Sequence, residues 1–296
     1  MSQEPGELWP LVAARIQLDQ GWSLQPVARL GRSHDDRRTW LAEGRPGAVI
    51  VKASTNQFAL ERAPWAAEAL ALLRARGVPV PVPLWWSRLD ERWWALVQPQ
   101  LPGEPLDELD EPVLEQLLAL VELQAGLGPE GGGWDVSWWI DKVVFEGWEG
   151  WWDGAEQAAP QTARRLRALL EPATGYRLPV ADLVHGDFGV GNLLVQEGTV
   201  SGIVDWDHLG IGSRALDLTS LLFDWQRLRL ADSSSVTDEG GQRLTARIVE
   251  IAGDHGFRST VCYAAIARLA LSRQRGEPDQ VETWRRVTES ILDSWT

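Results

Sequence analysis

One stretch constrains this chain more than any other: an apolar run that ends in His185-Gly186-Asp187 and reaches Asn192 five positions after Asp187, across a glycine-rich turn. A second apolar run follows and ends at Asp205. The pattern predicts carboxylates and an amide held at the ends of buried strands or in tight loops. In Mg²⁺-dependent phosphoryl transfer, one carboxylate takes the proton of the attacking hydroxyl, while an amide oxygen and a second carboxylate hold the metal on the phosphates. The spacing therefore predicts a kinase of small molecules.

The composition is that of a globular protein with a strongly negative surface. The 296 residues carry a net charge of −14, and the sequence pI is about 4.8. Such a surface repels nucleic acid and anionic lipid and attracts cationic partners. Lys52 and Lys142 are the only lysines among 28 basic residues, so each needs a local explanation. Lys52 ends a strand-like run, Ala48–Lys52, from which its compact ammonium group can reach a phosphate.

Several classes of protein are excluded by features that the sequence lacks. The first residues, Met1–Glu7, have neither the basic start nor the apolar run of a signal peptide. No uncharged apolar run is long enough to cross a bilayer. The single cysteine, Cys262, excludes an internal disulfide and a cysteine-based zinc site. We therefore expect a cytoplasmic protein, monomeric or homodimeric, that binds neither membrane nor nucleic acid.

The order of the elements predicts an α+β fold. Strand-like segments dominate the first third of the chain, with helices expected over residues 8–18 and 59–76. The later helices are expected over residues 110–126, 160–171, 215–230, 241–254, 258–275 and 279–294. The proline-rich run Pro99–Pro105 is typical of a linker. The predicted domains are an N-terminal nucleotide-binding lobe over residues 1–98, a hinge over 99–104 and a helical C-terminal lobe over 105–296.

These residues resemble the aminoglycoside phosphotransferase and choline kinase family, which is related to the protein kinases. The resemblance runs from about Val27 to the C-terminal helices and is most specific at His185-Gly186-Asp187, Asn192 and Asp205-Trp206-Asp207. It implies a two-lobed, protein-kinase-like fold. An N-terminal antiparallel-sheet lobe with one helix would precede a larger, mostly helical C-terminal lobe. It also implies that Asp187 is the catalytic base and that Asn192 and Asp205 bind Mg²⁺.

The resemblance also implies a nucleotide site, for ATP or GTP, in the N-terminal lobe. Lys52 would contact the α- and β-phosphates and pair with a helix glutamate, either Glu68 or, as the second choice, Glu61. Backbone groups of the hinge would hold the adenine at Gln98, Gln100 and Leu101. The break at Gly31-Arg32-Ser33 has two interpretations, a loop over the phosphates that includes Ser33 or a plain hairpin turn.

The chain departs from the family pattern at two places. The loop before Asn192 reads Phe188-Gly189-Val190-Gly191, where the family often has a histidine or proline, and Ser213-Arg214 stands where the family often has Asp-Pro. Neither change removes a residue needed for the chemistry. We expect His185 to be a hydrogen-bonded scaffold residue, and Asp217 to be a helix N-terminal cap that braces the catalytic loop.

Tryptophan is unusually abundant, with 18 residues against 5 Phe and 2 Tyr. The densest patch lies between Trp134 and Asp153, where indoles are interleaved with acids. It has two interpretations, core packing or part of the acceptor site, because indole faces and carboxylates together bind cations well. The second interpretation makes acceptor-site candidates of Trp138, Asp141, Trp151 and Asp153. Asp207 is a further candidate there, as a second metal ligand or a solvated neighbour.

The predicted acceptor is a small cationic molecule with a hydroxyl group, such as an aminoglycoside or a basic peptide antibiotic. A choline-like or amino-sugar metabolite is the alternative. A protein kinase would need a long activation segment, and the stretch between Asp205 and Asp217 has no room for one. A non-catalytic ATP- or ligand-binding protein would not need the full set of polar catalytic residues.

Overall fold

The structure is a computed structural model that describes residues 8–30, 37–106, 108–128, 133–231 and 236–295, with only the backbone at Glu149. The chain forms two compact units. The first comprises Met1–Gly103 together with Ser201–Ile203, and the second comprises Glu104–Val200 together with Val204–Thr296.

The first unit is built on an antiparallel sheet whose described strands run in the order β1-β2-β3-β5-β4. The strands are β1 (Leu24–Arg29), β2 (Arg37–Gly44), β3 (Val49–Ser54), β4 (Trp85–Arg88) and β5 (Trp94–Pro99). The helices of this unit are α1 (Leu8–Gln20) and α2 (Gln57–Ala75). Asn56 caps α2, because its side-chain oxygen accepts the backbone N–H of Ala59 at 3.3 Å.

Alternation of side chains along β3 and β5 gives the sheet two distinct faces. One face buries Val51 and Val97 in an apolar core that also contains the buried side chains of α1. Lys52 and Gln98 each follow one of these residues directly, so their side chains point to the opposite face. Both are buried. The predicted phosphate-binding lysine and one predicted hinge residue therefore share the face that α1 does not cover.

The second unit is mostly helical. Its helices are α3 (Glu111–Glu122), α4 (Val136–Val144), α5 (Trp151–Ala158), α6 (Pro160–Leu170), α7 (Ala215–Leu230), α8 (Asp238–Gln274) and α9 (Pro278–Trp295). The strands are β6 (Glu104–Pro105), β7 (Asp182–Val184), β8 (Leu193–Gln196), β9 (Thr199–Ile203, which ends in the first unit) and β10 (Gly210–Gly212). An antiparallel sheet followed by a helical part confirms the α+β class. Of the described helices, none has the length and apolar character needed to span a membrane.

The helical unit confirms one sequence-based expectation and differs from another. The periodicity predicts separate helices over residues 241–254 and 258–275, and α8 does consist of two helical segments, because Gly253 between them has a non-helical backbone (φ 70°, ψ 175°). The helices α4 and α5 were not predicted, although the buried residues of α4, such as Val136, Ile140 and Val143, recur at helical spacing. Local signals for α4 do exist, since Asp135 caps it by accepting the backbone N–H of Trp138 at 2.8 Å.

Candidate active site

A buried carboxylate holds the loop that follows β7. The two carboxylate oxygens of Asp217 accept the backbone N–H groups of His185 at 2.8 Å and of Gly186 at 3.0 Å. Asp217 is fully buried in the first turn of α7, but it does not cap that helix. The N-cap position is Arg214, which makes no side-chain capping hydrogen bond. The predicted capping role is therefore wrong, while the predicted bracing of the loop is confirmed.

Burial changes the pKa of the Asp217 carboxyl group that holds the loop. It raises the pKa of Asp217 from 3.8 to about 7, because the charged form is withdrawn from water. The amide donors of His185 and Gly186 act in the opposite direction, and the nearby charge of Asp187 adds to the rise. With its amide oriented to suit its neighbours, Gln124 also donates to Asp217 at 3.1 Å.

Gly186 makes the turn between His185 and Asp187. Its φ is +79°, in the left-handed region that favours glycine. A Cβ atom there would lie 2.7 Å from the carbonyl oxygen of His208, closer than real Cβ contacts allow. The glycine of the His-Gly-Asp motif is therefore required both by backbone conformation and by close packing.

His185 links the two parts of the motif. Its Nδ1 accepts the backbone N–H of Asp187 at 3.2 Å, and its Nε2 lies 2.9 Å from the carbonyl oxygen of Val204. Because Nδ1 accepts, Nε2 carries the proton and donates. Burial lowers the pKa of this imidazole, which favours the neutral ring. His185 therefore has the scaffold role predicted for it, tying Asp187 to the strand end that precedes Asp205.

Asn192 closes the loop around Asp187. Its Nδ2 donates to the backbone carbonyl of Asp187 at 2.9 Å and lies 3.4 Å from that residue's Oδ2. These acceptors fix the amide orientation, and Oδ1 takes no hydrogen bond from any described residue. The backbone carbonyl of Asn192 accepts the N–H of Val204 at 2.9 Å. The Oδ1 atom is thus the part of Asn192 that is available to a ligand.

Asp205 has an unusual backbone for a residue with a side chain. It lies in the left-handed region, with φ 67° and ψ 50°. Such conformations cluster at functional sites. Its charge and that of Asp187 both act on His185. Within the described ranges no cluster of three or more His, Cys, Asp or Glu side chains could hold a metal ion. An amide oxygen and a carboxylate nevertheless fit Mg²⁺, which takes one or two protein ligands and completes its shell with phosphates and water.

A cavity of about 550 Å³ lies beside this loop, entirely within the second unit. Asp187 and Asn192 line it, together with Trp151, Tyr263, Asp224 and Arg268. The rings of Trp151 and Tyr263 are stacked, with centroids 6.3 Å apart and an interplanar angle of 17°. The cavity joins the predicted catalytic residues to an aromatic wall.

Sequence reasoning missed Asp224 and Arg268. Asp224 accepts the backbone N–H of Val190 at 2.9 Å and is buried in α7. A Cβ atom at Gly189 would lie 2.9 Å from its carboxylate, so the loop glycine lets the two elements approach. Arg268 lies near the end of α8. No local motif marks either residue, although an acid and an arginine within helices of this apolar character are weak signals of function.

The other predicted acceptor residues lie elsewhere. Trp138 is 42% exposed and packs against Trp148 at 5.5 Å between ring centroids. Asp141 lines a different cavity of about 420 Å³, where burial raises its pKa. Asp153 and Asp207 are exposed, and neither lines the cavity beside Asp187. Of the tryptophan-patch candidates, Trp151 is the one that the structure brings to Asp187.

The predicted nucleotide residues belong to the first unit. Gln100 donates its backbone N–H to the carbonyl of Ala48 at 3.3 Å, and Leu101 is half-buried. Glu68 is exposed on α2 and forms no ion pair with Lys52 in the described part of the chain. Glu61 is exposed as well. Ser33 lies outside the described residues.

An antiparallel sheet with a buried strand lysine, followed by a helical part with an Asp-Asn loop, defines the protein-kinase-like class. A family model described as "Phosphotransferase enzyme family" matches residues 27–245, which is most of the chain. This chain belongs to that family.

Two curated relatives share parts of the sequence. Viomycin phosphotransferase of Streptomyces vinaceus is 32% identical over 139 residues, which are 43% of this chain and 48% of the relative. Hygromycin-B 4-O-kinase of Escherichia coli is 25% identical over 181 residues, which are 54% of this chain and 52% of the relative. The chain thus spans about half the length of the curated relatives that it matches.

Solved structures extend the likeness to nearly the whole chain. An apo thermostable mutant of aminoglycoside phosphotransferase APH(4)-Ia has a TM-score of 0.72 at 16% identity, and the match covers 96% of this chain and 99% of that one. A ternary complex of a further mutant with AMP-PNP and hygromycin B has a TM-score of 0.70 at 17% identity, with the same coverage. At this identity the likeness concerns the fold, and it confirms the predicted protein-kinase-like architecture.

Proposed function

We propose that this chain is an ATP- and Mg²⁺-dependent phosphotransferase that transfers the γ-phosphoryl group to a hydroxyl of a small, amine-bearing molecule. Antibiotics are the first class of acceptor to test. The observation that carries the proposal is the hydrogen-bonded loop from His185 to Asn192, which faces a cavity of about 550 Å³. Membership of the family and the two antibiotic-phosphorylating relatives support the same class of reaction.

Asp187 is proposed as the residue that orients and deprotonates the acceptor hydroxyl. Its backbone N–H is anchored on His185 and its backbone carbonyl on Asn192, so the residue is held at both sides. Its side chain is exposed and lines the cavity. A fixed carboxylate that a hydroxyl can reach supplies the position and the proton acceptor that this chemistry requires.

Asn192 and Asp205 are the residues proposed to hold the metal. The Asn192 Nδ2 is occupied by Asp187, which directs Oδ1 away from its own loop. Asp205 presents a carboxylate from a constrained left-handed position. When bound, Mg²⁺ neutralises phosphate charge and orients the transferring group. The two side chains would therefore set where the phosphates lie relative to the base.

The nucleotide is proposed to bind the N-terminal lobe, residues 1–98, with residues 99–104 as the hinge and residues 105–296 carrying the catalytic and acceptor sites. Lys52 and Gln98 on one sheet face support this assignment. A buried lysine ammonium favours a strongly anionic partner, which a phosphate group supplies. ATP is the proposed nucleotide, and GTP is to be tested beside it. Glu68 would need to approach Lys52 for the implied ion pair to form.

The cavity supports an amine-bearing acceptor. The stacked rings of Trp151 and Tyr263 offer a flat aromatic surface, and Asp187 and Asp224 add negative charge. Aromatic faces beside carboxylates attract cations. An aminoglycoside or a basic peptide antibiotic carries both amines and hydroxyl groups, which agrees with the activities of the two relatives.

The experiment is ADP release from Mg-ATP in the presence of purified aminoglycosides, basic peptide antibiotics, amino sugars and choline analogues, each with a control without acceptor. We expect acceptor-dependent ADP release and a phosphorylated product by mass spectrometry with at least one amine-bearing class. Nucleotide binding without phosphorylation of any acceptor would contradict the proposal and support a binding protein.

A further inference from the structure

We propose that the acceptor also carries an anionic group, a carboxylate, and that Arg268 binds it; the inference rests on the proposed function. Arg268 lines the cavity beside Asp187. Within the amine-bearing class proposed above, this favours a hydroxylated amino acid-like molecule, with a positive and a negative group on the same small scaffold, over an aminoglycoside, which has no carboxylate.

The guanidinium of Arg268 is held in place by aromatic rings. Its central carbon lies 4.9 Å from the ring centroid of Phe223 and 5.1 Å from that of Trp284. Its Nη1 donates to the carbonyl of Ala264 at 3.3 Å, one turn earlier in α8. Stacking against two rings orients the planar group and limits the rotamers available to it. Arg268 is therefore a preorganised donor.

Arg268 makes no ion pair with any residue in the described part of the chain. Other arginines of the same unit are paired closely, as Arg214 is with Asp182 at 3.1 Å and Arg285 with Glu289 at 2.7 Å. This contrast is informative in a chain with a net charge of −14, where carboxylates are plentiful. Burial lowers the pKa of Arg268, because it withdraws the cation from water, and the charges of Asp224 and Asp187 offset only part of this effect.

Asp224, the cavity acid with the largest electrostatic effect on Arg268, does not form an ion pair with it. Asp224 acts on Arg268 electrostatically, but its Oδ2 accepts the N–H of Val190 at 2.9 Å and its Oδ1 lies 3.4 Å from Arg227. A guanidinium with free donors at a cavity wall pairs best with a carboxylate, through two parallel hydrogen bonds. An anionic group on the acceptor would complete the charge pairing that the protein leaves open.

The test measures binding first, so that it does not depend on phosphoryl transfer. Isothermal titration compares D-glucosaminic acid with 2-amino-2-deoxy-D-glucitol, and serine with serinol, because each pair differs mainly by a carboxylate in place of a neutral hydroxymethyl group. The variants are Arg268→Gln, which removes the charge, and Arg268→Lys, which keeps the charge but loses the planar fork. Arg273→Gln is the matched control, since Arg273 is exposed on the same helix and does not line the cavity.

We expect the wild type to bind the acid of a pair at least about tenfold more tightly than its neutral-ended partner, as one charge-assisted contact provides. Arg268→Gln should abolish this preference, Arg268→Lys should keep part of it, and Arg273→Gln should keep all of it. Equal or absent binding of the acids, or a preference that persists in Arg268→Gln, would overturn the proposal.

Kinetic measurements distinguish carboxylate binding by Arg268 from an action on the transferred phosphoryl group, and they test the proposed function separately. If Arg268→Gln lowers kcat equally for all acceptors and leaves their KM unchanged, Arg268 acts on the transferred phosphoryl group and the inference is wrong. If the acids bind in an Arg268-dependent manner but Mg-ATP never phosphorylates them or any other acceptor, the proposed function fails and the anion site stands. Should Arg268→Gln not fold, the comparison of Arg268→Lys with the wild type decides.

Discussion

The carboxylate of Asp217 lies 2.8 Å from the backbone nitrogen of His185, a residue 32 positions earlier in the chain. This contact joins the first turn of α7 to the loop that carries Asp187. It explains how the exposed Asp187 can have a fixed backbone, since the residues before it are anchored in the protein interior. It also makes the loop sensitive to the protonation of one buried acid.

The first prediction concerns pH and Asp217. Its pKa is about 7 in the folded chain and 3.8 at its ordinary value, so between these limits the folded state binds more protons than the unfolded state. The free energy of unfolding that Asp217 contributes is complete below pH 3.8 and is lost as pH rises towards about 7. Asp217→Asn cannot ionise. Urea unfolding at several pH values should therefore give a wild-type stability that declines relative to Asp217→Asn as pH rises. A constant difference would contradict the assignment.

The second prediction compares two glycines with similar backbone angles. Gly186 has φ +79° and no room for a Cβ, while Gly198 has φ +76° and nothing within 4 Å. Gly198→Ala should cost only the backbone strain, about 1 kcal/mol. Gly186→Ala adds a steric clash with the carbonyl of His208, and should cost at least about 1 kcal/mol more and impair turnover. Urea denaturation measures both costs, and equal costs would show that the loop relaxes around the new side chain.

The third prediction separates two tryptophans of the same patch. Trp151 lines the cavity beside Asp187, whereas Trp138 does not line it and is 42% exposed. Trp151→Ala should raise the acceptor KM about tenfold, equivalent to about 1.4 kcal/mol, and leave the ATP KM unchanged. Trp138→Ala should leave both values near those of the wild type. If the two substitutions change the acceptor KM equally, Trp151 has only a packing role.

The fourth prediction concerns the metal. Asn192→Ala removes the proposed Oδ1 ligand, so the Mg²⁺ concentration for half-maximal ADP release should rise. Asn192→Asp keeps an oxygen ligand but loses the Nδ2–H that holds the Asp187 carbonyl. It should therefore need less Mg²⁺ than Asn192→Ala while turning over more slowly than the wild type. An unchanged Mg²⁺ requirement in both variants would contradict the ligand assignment.

Short-range patterns predicted much of the fold. Short apolar runs predicted β3 and β5, and the spacing of His185, Asp187 and Asn192 predicted the tight loop between β7 and β8. Both signals are local, because short strands and tight turns depend on neighbouring residues. The division of α8 at Gly253 was predicted as well, whereas the helices α4 and α5 were missed within the tryptophan patch.

The proposed acceptor side of the site could not be predicted in the same way. Asp224 and Arg268 come from the middle of one helix and the end of another, and they meet Asp187 only through helix packing. In the linear sequence each is an ordinary charged residue. The sequence instead predicted acids of the tryptophan patch as acceptor-site residues. However, Asp141 lines a separate cavity and Asp153 is exposed. Composition marks such a patch, but tertiary packing decides which side chain reaches the cavity.

The central claim is that Asp187 is the base of a phosphoryl transfer, and Asp187→Asn tests it most directly. The substitution keeps the shape of the side chain and the backbone contacts with His185 and Asn192. We predict normal folding and retained Mg-ATP binding, with acceptor-dependent phosphorylation reduced about 10²–10⁴-fold, as loss of a general base does. Phosphorylation at close to the wild-type rate in this variant would contradict the account.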